Sequence, residues 1–243
     1  MDKELTLLLE NYRPTQEAIS LIHQITTILL VGITGAGKDS IKHELLEKGT
    51  YHDIVSHTTR APRKNNGILE KDGQEYHFIS KEQAKEMIEN HQFIEAKWVH
   101  RQNIYGTSVA EFQTCLSDGK IALADIEVQG VDEYIELSPK TTKPIFLLPP
   151  DFSIWLKRFK SRYEGHVGSG EFRERLHTAT EEIKHVLQHP YFSIVVNDDL
   201  EIAAQEVDII AQNGIQSDAT IEYGRRCAMK LLHDISNHDV QTI

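Results

Sequence analysis

One nine-residue stretch constrains this chain more than any other: Gly32-Ile33-Thr34-Gly35-Ala36-Gly37-Lys38-Asp39-Ser40. It follows an apolar run rich in β-branched residues, Ile25 to Val31, and precedes a helix-like stretch, Ser40 to Lys48. Strand, glycine-rich turn and helix in that order make the context of a phosphate-binding loop. The glycines let backbone N–H groups point inward with no Cβ in the way. The helix that follows aims its positive end at an anion, and Lys38 adds a point charge for the outer phosphates. Gly32, Thr34, Gly35, Ala36, Gly37, Lys38, Asp39 and Ser40 are therefore the expected phosphate cradle. Position 39 departs from the usual pattern, which carries a hydroxyl for Mg2+ and here carries a carboxylate.

The rest of the chain alternates in a way that predicts an α/β fold with a central parallel sheet. Buried strands are expected at 25–31, 121–126, 144–148 and 194–196. Helices are expected over 1–24 (broken at Pro14), 40–48, 81–90, 108–118, 152–162, 172–188, 200–212 and 221–235. Ser80 is the expected cap of the helix at 81–90, and Ala84, Met87 and Ile88 its apolar stripe. Shorter strands at 53–57, 74–79, 93–99 and 104–107, with a polar loop at 60–73, mark an insert after the first strand–helix unit. The expected organisation is an N-terminal helical extension (1–24), an α/β domain (25–212) and a C-terminal helical extension (213–243).

Composition excludes several classes. A formal charge of −11 argues against a general nucleic-acid surface, which needs basic patches to displace counterions. No apolar stretch is long enough to span a membrane, and the start Met-Asp-Lys-Glu carries no apolar signal region. Two cysteines, Cys115 and Cys227, provide neither metal spacing nor a disulfide framework, so a reducing cytoplasm is expected. The 13 histidines show no zinc spacing.

From residue 25 to about 212 the chain resembles the guanylate kinase family. The segments that carry the resemblance are Ser56-His57-Thr58-Thr59-Arg60-Ala61-Pro62-Arg63, Glu75-Tyr76-His77-Phe78, Phe93-Ile94-Glu95, Ile104-Tyr105-Gly106-Thr107-Ser108, Asp125-Ile126-Glu127-Val128-Gln129-Gly130, Leu147-Leu148-Pro149-Pro150 and Asn197-Asp198-Asp199-Leu200. The resemblance implies a three-layer phosphate-loop kinase that phosphorylates GMP with ATP and Mg2+. It implies a GMP-binding insert at about 53–107 and a mobile lid at about 158–175. Arg60, Arg63, Tyr76 and Tyr105 would hold the GMP phosphate. Fork-shaped guanidinium donors suit that task. Glu95 would accept from N1–H and the 2-amino group of guanine, with Ser56 and Thr107 at O6 and N7. Adenine lacks that donor pair, so a carboxylate there discriminates through unmet hydrogen bonds. Asn197 and Asp198 would border the adenine of ATP. Lys38, Arg63, Arg162 and Arg175 would stabilise the transferring phosphoryl group, with Arg158 and Arg173 as further lid candidates. Asp125, ending an apolar strand, would join Asp39 and Ser40 in holding Mg2+. The expected partners are small molecules only, with the chain a monomer or homodimer.

The departures leave alternatives. Asp39 would repel phosphates unless a cation sits between them. Either it holds Mg2+, or Ser40 takes over with a shifted helix start. Glu127 stands where the family usually has Asp, as an acceptor contact or as a helix cap. The lid has Arg162-Tyr163 in place of the usual Arg-Gly. The Gly-Lys-Asp-Ser ending also resembles ribose 1,5-bisphosphate phosphokinases, although a sugar phosphate offers Glu95, Ser56 and Thr107 nothing to read. Non-catalytic guanylate-kinase-like binding modules are a third reading, against which Lys38 and the three loop glycines stand.

Overall fold

The computed structural model describes residues 3–65, 68–99, 102–162, 169–214 and 216–237. From the N-terminus, α1 (Lys3–Asn11) and α2 (Gln16–Ile22) precede β1 (Thr27–Gly32), α3 (Lys38–Glu47) and β2 (Tyr51–Asp53). Short strands follow: β3 (His57–Thr58), β4 (Lys64–Asn65), β5 (Ile68–Leu69) and β6 (His77–Phe78). Next come α4 (Lys81–Glu89), β7 (Phe93–Val99), β8 (Asn103–Ser108) and α5 (Val109–Ser117). The chain then runs through β9 (Ile121–Asp125), α6 (Val128–Leu137), β10 (Thr142–Leu148), α7 (Phe152–Arg162) and α8 (Ser169–Gln188). It ends in β11 (Ser193–Val196), α9 (Leu200–Asn213) and α10 (Asp218–Ser236).

The main sheet has the order β11-β10-β1-β9-β2 with every pairing parallel. Its central strand reads Thr-Ile-Leu-Leu-Val-Gly and is buried along its whole length, as a parallel strand covered on both faces must be. After β1 the chain moves first to one side of it, to β2 and β9, and later to the other, to β10 and β11. The carboxyl ends of β9, β1 and β10 therefore flank a topological switch point, where open α/β sheets bind ligands. The helix α3 packs on α9 and the sheet, and α6 packs on β1, β10 and α8. The result is the expected three-layer α/β architecture.

The edge strand β11 is covered by α10. Gly224 lies so close that a Cβ there would meet the Ile194 carbonyl at 2.6 Å, and Gln216 Nε2 donates to the same oxygen at 2.9 Å. An edge closed in this way offers no template for further strands.

Between β2 and β9 the insert forms a second sheet, in the order β6-β3-β8-β7. Three expectations are corrected here. Residues 53–57 are not one strand: β2 ends at Asp53 in the main sheet, and β3 begins at His57 in the insert. The chain crosses between the two bodies over residues 54–56. Of the expected strand at 74–79 only His77–Phe78 joins the sheet, because Gly73 at φ +75 begins a turn that Tyr76 O closes by accepting from Gly73 N–H. The polar loop at 60–73 contains the small hairpin β4–β5. In α4, Ser80 and Gln83 form a reciprocal capping box.

The expected N-terminal helix is two helices with different partners. In α2, Ala18 and Ile22 join the main core. In α1, Leu5 and Leu9 join a smaller cluster with Ala84, Ile88, Phe93, Ala96 and Ile104 of the insert.

Candidate active site

The loop after β1 is closed by its own Ala36 N–H, which donates to Ile33 O at 3.0 Å, and side chains hold two of its carbonyls. Trp155 Nε1 donates to Thr34 O at 2.7 Å, and Asn197 Nδ2 donates to Ala36 O at 2.8 Å. Arg158 in turn donates to Asn197 O at 2.8 Å. Gly37 has φ +93, and a Cβ on it would lie 2.3 Å from Asn197 Nδ2, so any side chain there would break the cradle. Gly37 is also the N-cap of α3 and supplies no side-chain acceptor. The first N–H groups of the helix are thus left for an anion. Lys38 Nζ rests on Gly32 O at 2.9 Å. The helix starts at Lys38, two residues earlier than expected, so Asp39 and Ser40 both lie in its first turn. A pocket of about 420 Å³ opens here, lined by Gly35, Gly37, Lys38, Asp39, Ser40, Arg158, Asn197 and Asp198 among others.

Asp125 ends β9 opposite Leu30 of β1. Burial raises its carboxyl above the usual range; Lys38 and Lys42 pull it back, while Asp39 and Asp53 push it up. Carboxylates crowd at this point, and a cation among them would relieve the repulsion. Glu127 occupies the N-cap position of α6 but makes no side-chain cap bond, which removes the cap as its structural reason.

The cleft also receives Glu182 of α8, a residue the sequence did not single out. On α8 the stripe Phe172, Leu176, Ala179, Ile183 and Val186 is buried. Arg175 and Glu182, two turns apart, flank it on one side. Burial raises the Glu182 carboxyl to about 7, against the pull of Lys38 and Arg175 and with the push of Glu127. The native state thus binds a proton that the unfolded chain releases above about pH 4.5. That contribution is full below this value and is lost as pH rises through about 7. Replacing Glu182 by Gln is expected to stabilise the protein by about 2–3 kcal/mol at pH 8.5 and by almost nothing near pH 4. Urea unfolding at the two pH values checks this; an equal effect at both would contradict the assigned burial.

Across the cleft, the insert presents the second set of predicted residues. Arg60 is buried; it donates through Nε to Tyr105 Oη at 3.0 Å and through NH1 to Ala61 O at 2.8 Å. Glu70 takes it in a fork, at 2.8 and 3.1 Å. The same carboxylate accepts from Arg63 N–H at 2.8 Å, so Glu70 ties the two arginine positions together. The Arg60 guanidinium lies over the ring of Tyr76 at 5.2 Å, and the Tyr76 and Tyr105 rings meet edge-on at 5.6 Å. The Arg63 side chain is exposed. Burial is the main reason the Tyr76 phenol is raised to about 12. Tyr105 and Asp125 add to the shift, and Arg60 opposes it. Tyr76 therefore sits in the fields of Arg60 from the insert and Asp125 from the main sheet at once.

Glu95 lies on β7 beside Thr107 of β8, whose hydroxyl donates to its Oε1 at 2.8 Å. Burial holds this carboxyl above its ordinary range, opposed by Lys97 and reinforced by Glu133. Tyr134 of α6, almost fully buried, is pushed up by burial and by Glu95. A helix of the main body thus reaches the insert's half-buried acid. Ser56 is half-buried at the crossing into β3, where its carbonyl accepts from His77 N–H at 2.9 Å.

The structure therefore brings Gly32, Thr34, Gly35, Ala36, Gly37, Lys38, Asp39, Ser40, Asn197 and Asp198 to one pocket wall or its loop, with Asp125 beside Lys38. It gathers Arg60, Tyr76 and Tyr105 into one cluster and Glu95 with Thr107 into another. Arg158 belongs to the phosphate-loop wall. Arg173 is exposed on α8. The side chain of Arg162 and the lid residues 163–168 lie outside the described residues. Glu70, Tyr134 and Glu182 are the cleft residues that sequence reasoning missed.

Comparison with known proteins agrees with this geometry. The family described as guanylate kinase matches residues 24–214. The chain is 38% identical over 182 residues to the guanylate kinase of Clostridioides difficile, covering 74% of this chain and 84% of that one. It is 32% identical over 191 residues to that of Schizosaccharomyces pombe, covering 77% and 90%. In structure it is similar to the guanylate kinase of Anaplasma phagocytophilum, with a TM-score of 0.57 and 26% identity over 82% of this chain and 92% of that one.

Proposed function

This chain belongs to the guanylate kinase family, and from that premise we propose how its own residues divide the work. The enzyme is a nucleoside monophosphate kinase, and the reaction is ATP-dependent phosphorylation of GMP to GDP. The single observation that carries the assignment is the match of the guanylate kinase family over residues 24–214, the stretch that holds both the phosphate loop and the Arg60, Tyr76 and Tyr105 cluster.

In this reading the main domain is 25–212, with the GMP-binding insert at about 53–107 and the lid at about 158–175. The N–H groups of Gly35 and of residues 37–40, with Lys38, hold the β- and γ-phosphates of ATP, and Asn197 and Asp198 border its base. Arg60, Arg63, Tyr76 and Tyr105 hold the GMP phosphate. Before GMP arrives, Glu70 orients Arg60 and neutralises it, so that a buried cation is never left unpaired. Glu95, with Ser56 and Thr107, reads the guanine edge. Arg175 and Arg162 add positive charge around the transferring group, where positioning and electrostatics supply nearly all of the catalysis. Glu127 lies toward the same space.

The oxygen donors Asp125, Asp39 and Ser40 suit a hard cation. Among the described residues no group of three acidic, histidine or cysteine side chains is arranged to hold a metal alone. That fits Mg2+, which is usually held by one or two carboxylates together with substrate phosphates. When bound, Mg2+ neutralises charge on the β- and γ-oxygens. Among the described residues no helix is long and apolar enough to cross a membrane, and the ATP and GMP pools make the cytoplasm the proposed working compartment.

An acceptor panel tests the assignment: ATP and Mg2+ with GMP, dGMP, AMP, UMP or ribose 1,5-bisphosphate, reading ADP formed. GMP is expected to exceed AMP by at least about 100-fold in kcat/KM, because AMP leaves Glu95 without its donors. Turnover with ribose 1,5-bisphosphate and none with GMP would overturn it.

A further inference from the structure

The strand that carries Glu95 has an irregularity at the point that matters. Side chains alternate along a strand, so Phe93 and Glu95 would share a face in a regular β7. They do not. Phe93, Ala96 and Trp98 all belong to the cluster under α1. Glu95 bonds Thr107, and Lys97 reaches Glu133 of α6 at 3.6 Å, on the opposite side. The reversal comes from a register shift between Phe93 and Glu95: Phe93 pairs with Ser108 and Glu95 with Thr107, leaving Ile94 as the extra residue. A bulge of this kind re-aims a side chain at the cost of a disturbed ladder.

At the bulge, β7 is the open edge of its sheet, and the N-terminal extension closes it. Tyr12 Oη donates to Phe93 O at 2.5 Å and accepts from Phe93 N–H at 3.1 Å. One hydroxyl thus satisfies both main-chain groups that face outward just before the bulge. Tyr12 is held in turn by its own burial, by stacking on His91 with centroids 5.9 Å apart, and by Leu9 and Leu5 about one and two turns earlier. Glu4 anchors the far end of α1 to Lys85 of α4 at 2.9 Å. All these N-terminal residues precede the family match, which begins at residue 24.

We propose that Tyr12 is a positioning residue for guanine recognition: its hydroxyl clamps the main chain of Phe93 and fixes the bulge that turns Glu95 into the cleft. This rests on the reading of Glu95 as the guanine-binding residue. Tyr12 touches no substrate. Its effect is confined to where the Glu95 carboxylate points, so it acts on the acceptor and not on ATP.

The test is Tyr12→Phe, which keeps the ring and its packing and removes only the hydroxyl. The expected result is a KM for GMP raised about tenfold, with KM for ATP within about twofold, since small misplacements of a positioned group are costly. The ratio of kcat/KM for GMP over IMP, which lacks the 2-amino group, is expected to fall by a similar factor. In a Glu95→Gln background the Tyr12 substitution should lower that ratio no further, because the two act as a unit. In the ligand-free protein, amide exchange at Glu95 and Ala96 should speed up; this arm needs no turnover. A lower Tm with an unchanged GMP:IMP ratio and unchanged exchange would make Tyr12 a packing residue and overturn the proposal. A parent enzyme that ignores GMP would fail the functional reading instead, and unchanged exchange would then still overturn the hold of Tyr12 on the bulge.

Discussion

Lys38→Met is expected to lower kcat by about three orders of magnitude while leaving a folded protein. Removing one preorganised donor from a developing oxyanion commonly costs about 10²–10³ in rate, and here the donor also carries a full charge. Its amino group rests 2.9 Å from the Gly32 carbonyl, so it is already placed and little reorganisation is needed when ATP binds. Lys38→Arg should rescue poorly, because a planar fork cannot replace a compact ammonium in a loop this closely built. A second readout separates loss of chemistry from loss of structure. Lys38 opposes the burial of both Asp125 and Glu182. Without it both carboxyls should titrate higher, so the variant should lose more Tm than the parent between pH 6 and pH 8.5. Steady-state turnover and a Tm profile on the same samples check both. Turnover within tenfold of the parent would mean that the loop does not hold the transferring phosphate.

What could be read from the sequence follows from how local each signal is. The phosphate loop was legible because its chemistry lies in consecutive residues: Gly37 needs its φ of +93, and no other residue type meets that need without strain. The buried parallel strands were legible as apolar runs. In the insert, β7 and β8 were legible at 93–99 and 104–107, but the two-residue pairings of His57–Thr58 with His77–Phe78 were not, since they depend on partners far along the chain. Three cleft residues were hidden for related reasons. Glu70 lies in a polar stretch where nothing local separates a carboxylate buried on Arg60 from a solvated one. Glu182 follows Glu181, and only the packing of α8 decides that one faces the cleft and the other water. Tyr134 lies between the strands expected at 121–126 and 144–148, where no helix was expected, and only α6 gives it a buried face. The leucines of α1 announced a buried face without naming its partner, and the bulge at Glu95 leaves no compositional trace.

Glu95→Gln should produce opposite effects on activity and stability. The amide keeps the size of the side chain but exchanges one acceptor for a donor. Of the two guanine donors, one then meets an N–H instead of an oxygen. Charge-assisted hydrogen bonds are worth about 1.5–3 kcal/mol each, and a mispaired buried donor adds its own desolvation cost. The expected loss in kcat/KM for GMP is about 10²–10³, with KM for ATP unchanged. Stability should move the other way. Burial raises the Glu95 carboxyl above its unfolded value, so its contribution to stability is full below the unfolded value and is lost as pH rises through the raised one. Gln carries no such penalty, and its Tm should exceed that of the parent at pH 8 and match it at pH 4. In the parent, GMP donors favour the ionised form, so KM for GMP should rise as pH falls through the raised value. A carboxylate that burdens the empty enzyme and is relieved by its ligand is what a purine-reading residue requires. If the variant gained no Tm at pH 8 and kept its preference for GMP, Glu95 would be a surface acid and guanine would have to be read elsewhere.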